Sequence, residues 1–174
     1  PKPSPILSLF SFLYKKDNVG FTLQFDDAPS EPIEIAHRTG APSYKADVNV
    51  NEPNISTLDS GYQLIEVPLE AIAWGRSGDK GNKANIGIIA RHPNLLPHIW
   101  DTFSEEKIVE IFSHFLENDK IDRHYLPGIS GVNYVLHDVL GGGGTTSLRN
   151  DPQGKGYAQI LLSCKISVPK NLLV

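Results

Sequence analysis

Two glycine-punctuated stretches hold most of the side chains that could do chemistry. The first, Gly75-Arg76-Ser77-Gly78-Asp79-Lys80-Gly81-Asn82-Lys83 and on to Asn85, sets charged and amide side chains among three glycines. Small residues let a backbone approach a ligand closely, and its N–H groups can form an anion-binding nest. Arg76 and Lys80 would add positive charge, and Ser77, Asn82 and Asn85 would add hydrogen bonds. Asp79 and Lys80 are the candidates for moving a proton or orienting a hydroxyl. The spacing is not that of a Walker loop, since no helix with Lys-Ser/Thr follows the glycines. Nor does Ser77 sit in a nucleophile elbow. The same residues equally suit a hairpin loop that needs Gly for turns and Asp or Asn for backbone bonds.

The second stretch runs from Gly141 to Lys155 and opens with four consecutive glycines. Each loses more backbone entropy on folding than any other residue, and one would suffice to cap a helix. A loop hugging a ligand or another backbone explains the excess; so does a flexible exit loop. Gly142, Gly143, Thr145, Arg149 and Lys155 are the candidate binding residues here. The glycines follow a predicted helix instead of opening one, which argues against a dinucleotide site. The six histidines are scattered with no metal-ligand spacing, and Cys164 falls in an apolar run, so neither a metal nor a cofactor is expected.

These loops need elements to hold them. Leu64–Trp74 and Ala84–Ala90 read as strands, the second rich in β-branched residues. Asn94–Asp101 reads as a short helix. Thr102 with Glu105 three residues on resembles a capping box, predicting a helix over Phe103–Asn118 with Ile108, Ile111, Phe112, Phe115 and Leu116 inward. Ile121–Leu126 reads as a strand, Ile129–Leu140 as a second helix and Tyr157–Val168 as a final strand. The expected fold is α+β, a mainly antiparallel sheet with two main helices on one face. Upstream, Leu7–Tyr14 and the alternating Phe21–Phe25 predict an N-terminal β-hairpin within 1–26. Residues 27–61 carry Pro29, Pro32, Pro42 and Pro53 among many polar residues and read as a surface segment or linker, leaving 62–174 as the main domain.

Composition narrows the class. The chain has 174 residues, 40% of them apolar, and a net charge of −4. It shows no basic footprint for nucleic acid or anionic lipid. A single cysteine rules out an internal disulfide and points to a reducing, cytoplasmic setting. The first apolar run is about half the roughly 20 residues a bilayer span needs. The chain starts at Pro1 and contains no Met, as expected of a piece of something longer.

Ile72-Ala-Trp-Gly-Arg-Ser-Gly-Asp-Lys-Gly-Asn82, continuing Ala84-Asn-Ile-Gly-Ile-Ile-Ala-Arg91, resembles the C-terminal domain of the acyclic terpene utilisation A (AtuA) family. So do Leu126-Pro-Gly-Ile129, Leu140-Gly-Gly-Gly-Gly-Thr145, Ser147-Leu-Arg149 and Asp151-Pro-Gln-Gly-Lys155. The similarity covers most of 64–169 and, more loosely, Ser4–Val19. Lys83 and Gly156 depart mildly from the pattern. The resemblance implies a ferredoxin-like domain following a larger N-terminal domain. Its setting is bacterial breakdown of branched acyclic terpenes through acyl-CoA thioesters. It carries over no catalytic residue.

In a ferredoxin-like sheet the first and last strands are antiparallel neighbours. With Leu64–Trp74 and Tyr157–Val168 in those roles, the two loops meet at one sheet edge. Arg76, Asp79, Lys80, Asn82, Arg149, Asp151 and Lys155 then line one net-positive pocket. Two functions fit that expectation. The domain supplies an anion-binding wall for a CoA thioester or other anionic small molecule, as part of an enzyme and not catalytic alone. Or it is a non-catalytic module whose glycines pack the loops against the larger domain or a second copy in a homo-oligomer.

Overall fold

Alternation of apolar side chains builds the central sheet. In the computed structural model, which describes residues 10, 12–34, 51–54 and 62–173, the described residues fall into two compact units, within 10–49 and within 50–174. The smaller contains a hairpin of β1 (Phe21–Leu23) and β2 (Glu31–Ile33), paired antiparallel with Phe21 opposite Ile33. The expected N-terminal hairpin is present, but Phe21–Leu23 pairs downstream, past Asp26 in a left-handed conformation (φ 47°). Half of the upstream partner expected at Leu7–Tyr14 lies outside the described residues, and Phe10, Phe12, Leu13 and Tyr14 are not in a strand.

The larger unit begins with β3 (Leu64–Pro68), β4 (Ala73–Lys80) and β5 (Lys83–Ala90). Helices α1 (Leu96–Thr102) and α2 (Glu105–Phe112) follow, then strands β6 (Ile121–Leu126) and β7 (Gly131–Leu136). The chain closes with α3 (Tyr157–Ser163) and β8 (Lys165–Pro169). Four strands form an antiparallel sheet in the order β4-β5-β7-β6, and β3 pairs antiparallel with β8. The path from β5 through α1 and α2, β6, β7 and α3 is the β-α-β-β-α course of a ferredoxin-like α+β fold. Residues paired across the sheet share a face, so Ile86, Ile88, Val132, Tyr134 and Leu136 form one buried layer. Ile99, Ile108, Phe112, Tyr157 and Leu161 of the helices pack against it. All helices thus lie on one face, and the other face carries the alternate residues.

Five element boundaries differ from the expectation, the first being that a 3-10 turn at Leu69–Ala71 breaks the expected strand Leu64–Trp74 into β3 and the start of β4. Residues 131–136 are a strand, not part of a helix. Val132, Val135, Leu136, Val139 and Leu140 follow the helical period, but Val132, Tyr134 and Leu136 also alternate, and pairing of Val132 with Ile88 and Tyr134 with Ile86 settles it for period two. Tyr157–Ser163 is a helix, not a strand, with Tyr157, Ala158 and Leu161 inward at helical spacing. The helix expected over 103–118 is shorter. Phe103 breaks the helical path after α1, Ser104 rather than Thr102 caps α2 by accepting from the Lys107 N–H (3.3 Å), and α2 ends at Phe112. Finally, the polar residues of 75–83 are not a loop: β4 runs through Lys80 and turns in two residues.

The phenol of Tyr134 ties the sheet to the helical layer by donating to the Phe103 carbonyl (2.8 Å) where both are buried. Burial pushes its pKa well above the ordinary tyrosine value, so it stays a donor at any physiological pH. Tyr134→Phe orphans that carbonyl and should cost about 1–2 kcal/mol in urea denaturation, with the far-ultraviolet spectrum unchanged.

Candidate functional site

The β4–β5 hairpin closes with Lys80 opposite Lys83 around the two-residue turn Gly81-Asn82. Gly81 takes a left-handed conformation (φ 68°), as tight hairpins require. The glycine loop folds back onto this turn. The Asn82 carbonyl accepts from the Val139 and Leu140 N–H groups (3.1 and 3.4 Å). Its side-chain oxygen accepts from the Gly142 N–H (2.7 Å), and its amide donates to Asp138 (3.1 Å). Asp138 also accepts from Asn118 (2.8 Å). Gly141 through Gly144 all have positive φ, and a Cβ at Gly143 would collide with the Gly81 carbonyl. The glycines therefore serve a backbone-on-backbone approach within the chain.

Further along, the loop is stapled to β4. The Ser77 hydroxyl, 5% exposed, donates to the Lys155 carbonyl (3.1 Å) and accepts from the Ala158 N–H (2.9 Å). Asp151 accepts from the N–H groups of Lys155 (2.9 Å) and Gly156 (2.7 Å), satisfying donors at the start of α3. The Lys155 ammonium lies 3.9 Å from the Asp79 carboxylate. Arg149 donates to the Phe115 carbonyl (3.0 Å), with its guanidinium 5.8 Å from the centre of the Phe115 ring.

Beside Arg149 opens a groove of about 720 Å³ between the turn after α2, the loop and α3. Phe115 and Tyr157 stack on its floor with ring centres 5.0 Å apart, next to Ile160. Leu148 stands fully exposed at the lip, and His114 and Arg149 line the walls. Burial raises the Tyr157 pKa, with Arg149 opposing the shift, and its hydroxyl donates to the Val139 carbonyl (3.1 Å).

The two stretches do come together, but not as one positive pocket. Strand alternation splits the first. Ser77 and Asp79 face the helices, and the Lys155 ammonium sits at the β4 edge, 3.0 Å from where a Gly78 Cβ would stand, whereas Arg76 and Asn85 lie on the opposite, open face. There Asn85 donates to Asn133 (3.2 Å), and Arg76 is exposed beside Trp74 and Gly87. Arg76 and Arg149 therefore do not face one ligand. The Lys80 ammonium donates to the Asp79 backbone carbonyl (2.9 Å), so these two side chains form no proton-transfer pair. Asn82, Gly142 and Gly143 serve the loop-on-turn packing, and Thr145 lies exposed on the loop. The groove's apolar floor escaped the sequence reading, although Leu148 in an otherwise polar loop was a visible signal.

Fold and groove together define a ferredoxin-like α+β domain with one concave, aromatic-floored surface on its helical side. Residues 67–167, more than half of the chain, match the AtuA ferredoxin-like domain, and the chain belongs to that family. No curated protein and no solved structure matches the chain. Among the described residues no helix is long and apolar enough to cross a membrane.

The packing makes a direct test. Ser77→Ala leaves the buried Ala158 N–H without its partner and should destabilise by about 1–3 kcal/mol. Gly143→Ala adds a backbone collision to an unfavourable φ and should cost about 2 kcal/mol or more. Chemical denaturation of the two variants beside Lys83→Ala, at an exposed position and with an expected change of about 0.5 kcal/mol or less, measures the contrast.

Proposed function

We propose that this domain binds the acyl portion of an anionic acyl ester, of the coenzyme A thioester class, as the ligand-holding part of a larger family protein. One observation carries the reading: the 720 Å³ groove has stacked aromatic rings on its floor and a fixed arginine in its wall. That volume lies in the range of small-molecule sites, about 300–1,000 Å³, which are mostly apolar with a few placed polar groups. A branched hydrocarbon chain fits the floor of Phe115, Tyr157 and Ile160. Arg149 spends one N–H on Phe115, and a guanidinium has five, so donors remain for a carboxyl, thioester or phosphate oxygen. Lys155, 57% exposed, adds positive charge on the same loop. The AtuA setting of branched acyl thioesters supports the ligand class. The role is holding a ligand, not breaking a bond, because neither Asp79 nor Lys80 is arranged to act on one.

Calorimetric titration with a branched ten-carbon acyl-CoA, against free coenzyme A as control, tests the proposal. Saturable binding is expected for the acyl ester. Ile160→Trp, which fills the groove, should weaken it at least tenfold, and Arg149→Gln should cost roughly 1.5–3 kcal/mol of binding. Equal affinity for free coenzyme A, or binding untouched by Ile160→Trp, overturns the proposal.

A further inference from the structure

We infer that the open face of the β4-β5-β7-β6 sheet is the surface on which two copies of this chain pair. This face lies opposite the helices and the groove, and the inference does not depend on the ligand. Antiparallel sheets commonly leave one face to water, but such a face is then polar. Here Trp74, Ile89, Leu126 and Ile129 surround a depression of about 230 Å³, and Trp74 and Ile129 are each more than half exposed. Contiguous exposed apolar residues of this size mark an interaction site. Arg91 already lies over Trp74, 4.7 Å from the ring centre, and fixes that ring at the sheet edge.

Gly87 points the same way. Glycine inside a strand weakens it and marks a close approach of something else. A Cβ at Gly131 would meet the Ile88 carbonyl oxygen at 2.9 Å, so the chain itself demands glycine there. At Gly87 it would meet nothing nearer than the Arg76 carbonyl oxygen at 3.8 Å, and φ is not left-handed. Nothing among the described residues explains this glycine.

The register identifies the occupant. Across the open face the rows run Trp74–Ile89–Gly131–Leu126, then Arg76–Gly87–Asn133–His124, then Gly78–Asn85–Val135–Asp122. A two-fold axis along the strands lays β4 over β6 of the second copy and β5 over β7. Each row then meets itself reversed. Trp74 faces Leu126, Ile89 meets Ile129 where it packs against Gly131, and Asn133 enters the space over Gly87. Lys80 and Lys83 overhang the end that carries Asp122, whose carboxylate is held 2.6 Å from His137. An axis across the strands instead sets the apolar row against those lysines. The face is thus complementary to itself in one arrangement, as an isologous interface requires.

Sedimentation of the chain at roughly 50 μM, where a pair with a dissociation constant near 1 μM is saturated, should show a dimer. Gly87→Val should give a monomer whose thermal midpoint is unchanged or higher, since valine suits a strand better than glycine. Leu126→Glu should also dissociate the pair, and Leu148→Glu, on the groove side, should leave it intact. A monomeric wild-type chain overturns the inference. So does a dimer that survives both Gly87→Val and Leu126→Glu, or one lost equally in Leu148→Glu.

Discussion

The backbone contact between Gly143 and the Gly81-Asn82 turn is the constraint on which the helical face depends. A side chain at Gly143 would hold the loop away from the hairpin. With the loop seated, Asn82 gathers the Val139, Leu140 and Gly142 N–H groups and Asp138 around one residue. That fixes where the chain leaves β7, and so where Asp151 and Ser77 can receive the start of α3. Four glycines in left-handed conformations are costly in entropy. Their cost is offset by a continuous set of hydrogen bonds running from Asn118 through Asp138 and Asn82 to Gly142.

This arrangement decides which polar residues are available to an outside molecule. Ser77 and Asp151 spend their oxygens on backbone N–H groups that would otherwise be unpaired at the start of α3. A buried hydroxyl with both a donor and an acceptor partner has little left to offer a ligand. Arg149 differs, because a guanidinium tied through one nitrogen is oriented, not consumed. Its bond to the Phe115 carbonyl holds the cation beside an apolar floor, where a charge-assisted hydrogen bond is stronger than in open water.

The fold class was legible because Ala84–Ala90 and the α2 stripe of Ile108 and Phe112 have unambiguous periods. The boundaries that failed did so for a shared reason. Val132, Val135 and Leu136 have helical spacing while Val132, Tyr134 and Leu136 alternate, and only pairing with β5 decides between the two. Tyr157–Ser163 reads as a strand until Asp151, in the preceding loop, and Ser77, distant in sequence, supply partners for the N–H groups at the start of a helix. The convergence of the two stretches was expected from antiparallel first and last strands, whereas Gly143 on the Gly81-Asn82 turn and Ser77 at the start of α3 bring it about. The split of Arg76 from Ser77 followed from reading β4 as a loop. In a loop neighbouring side chains can point together, whereas in a strand they cannot.

That alternation has a consequence for the whole domain. A strand on the edge of a one-sided sheet must present two chemistries, one residue at a time. In β4 the inward set, Gly75, Ser77 and Asp79, is small or hydrogen-bonding because α3 packs there: a Cβ at Gly75 would come within 3.1 Å of the Leu162 side chain. In the outward set Trp74, Arg76 and Lys80 are large and exposed, whereas Gly78 is buried beside the Lys155 ammonium. A single eight-residue strand therefore serves two surfaces that cannot share a ligand. The small inward residues are accounted for by the packing of α3, whereas Trp74 lies under Arg91 and the Lys80 ammonium on the Asp79 carbonyl, both turned away from that helix.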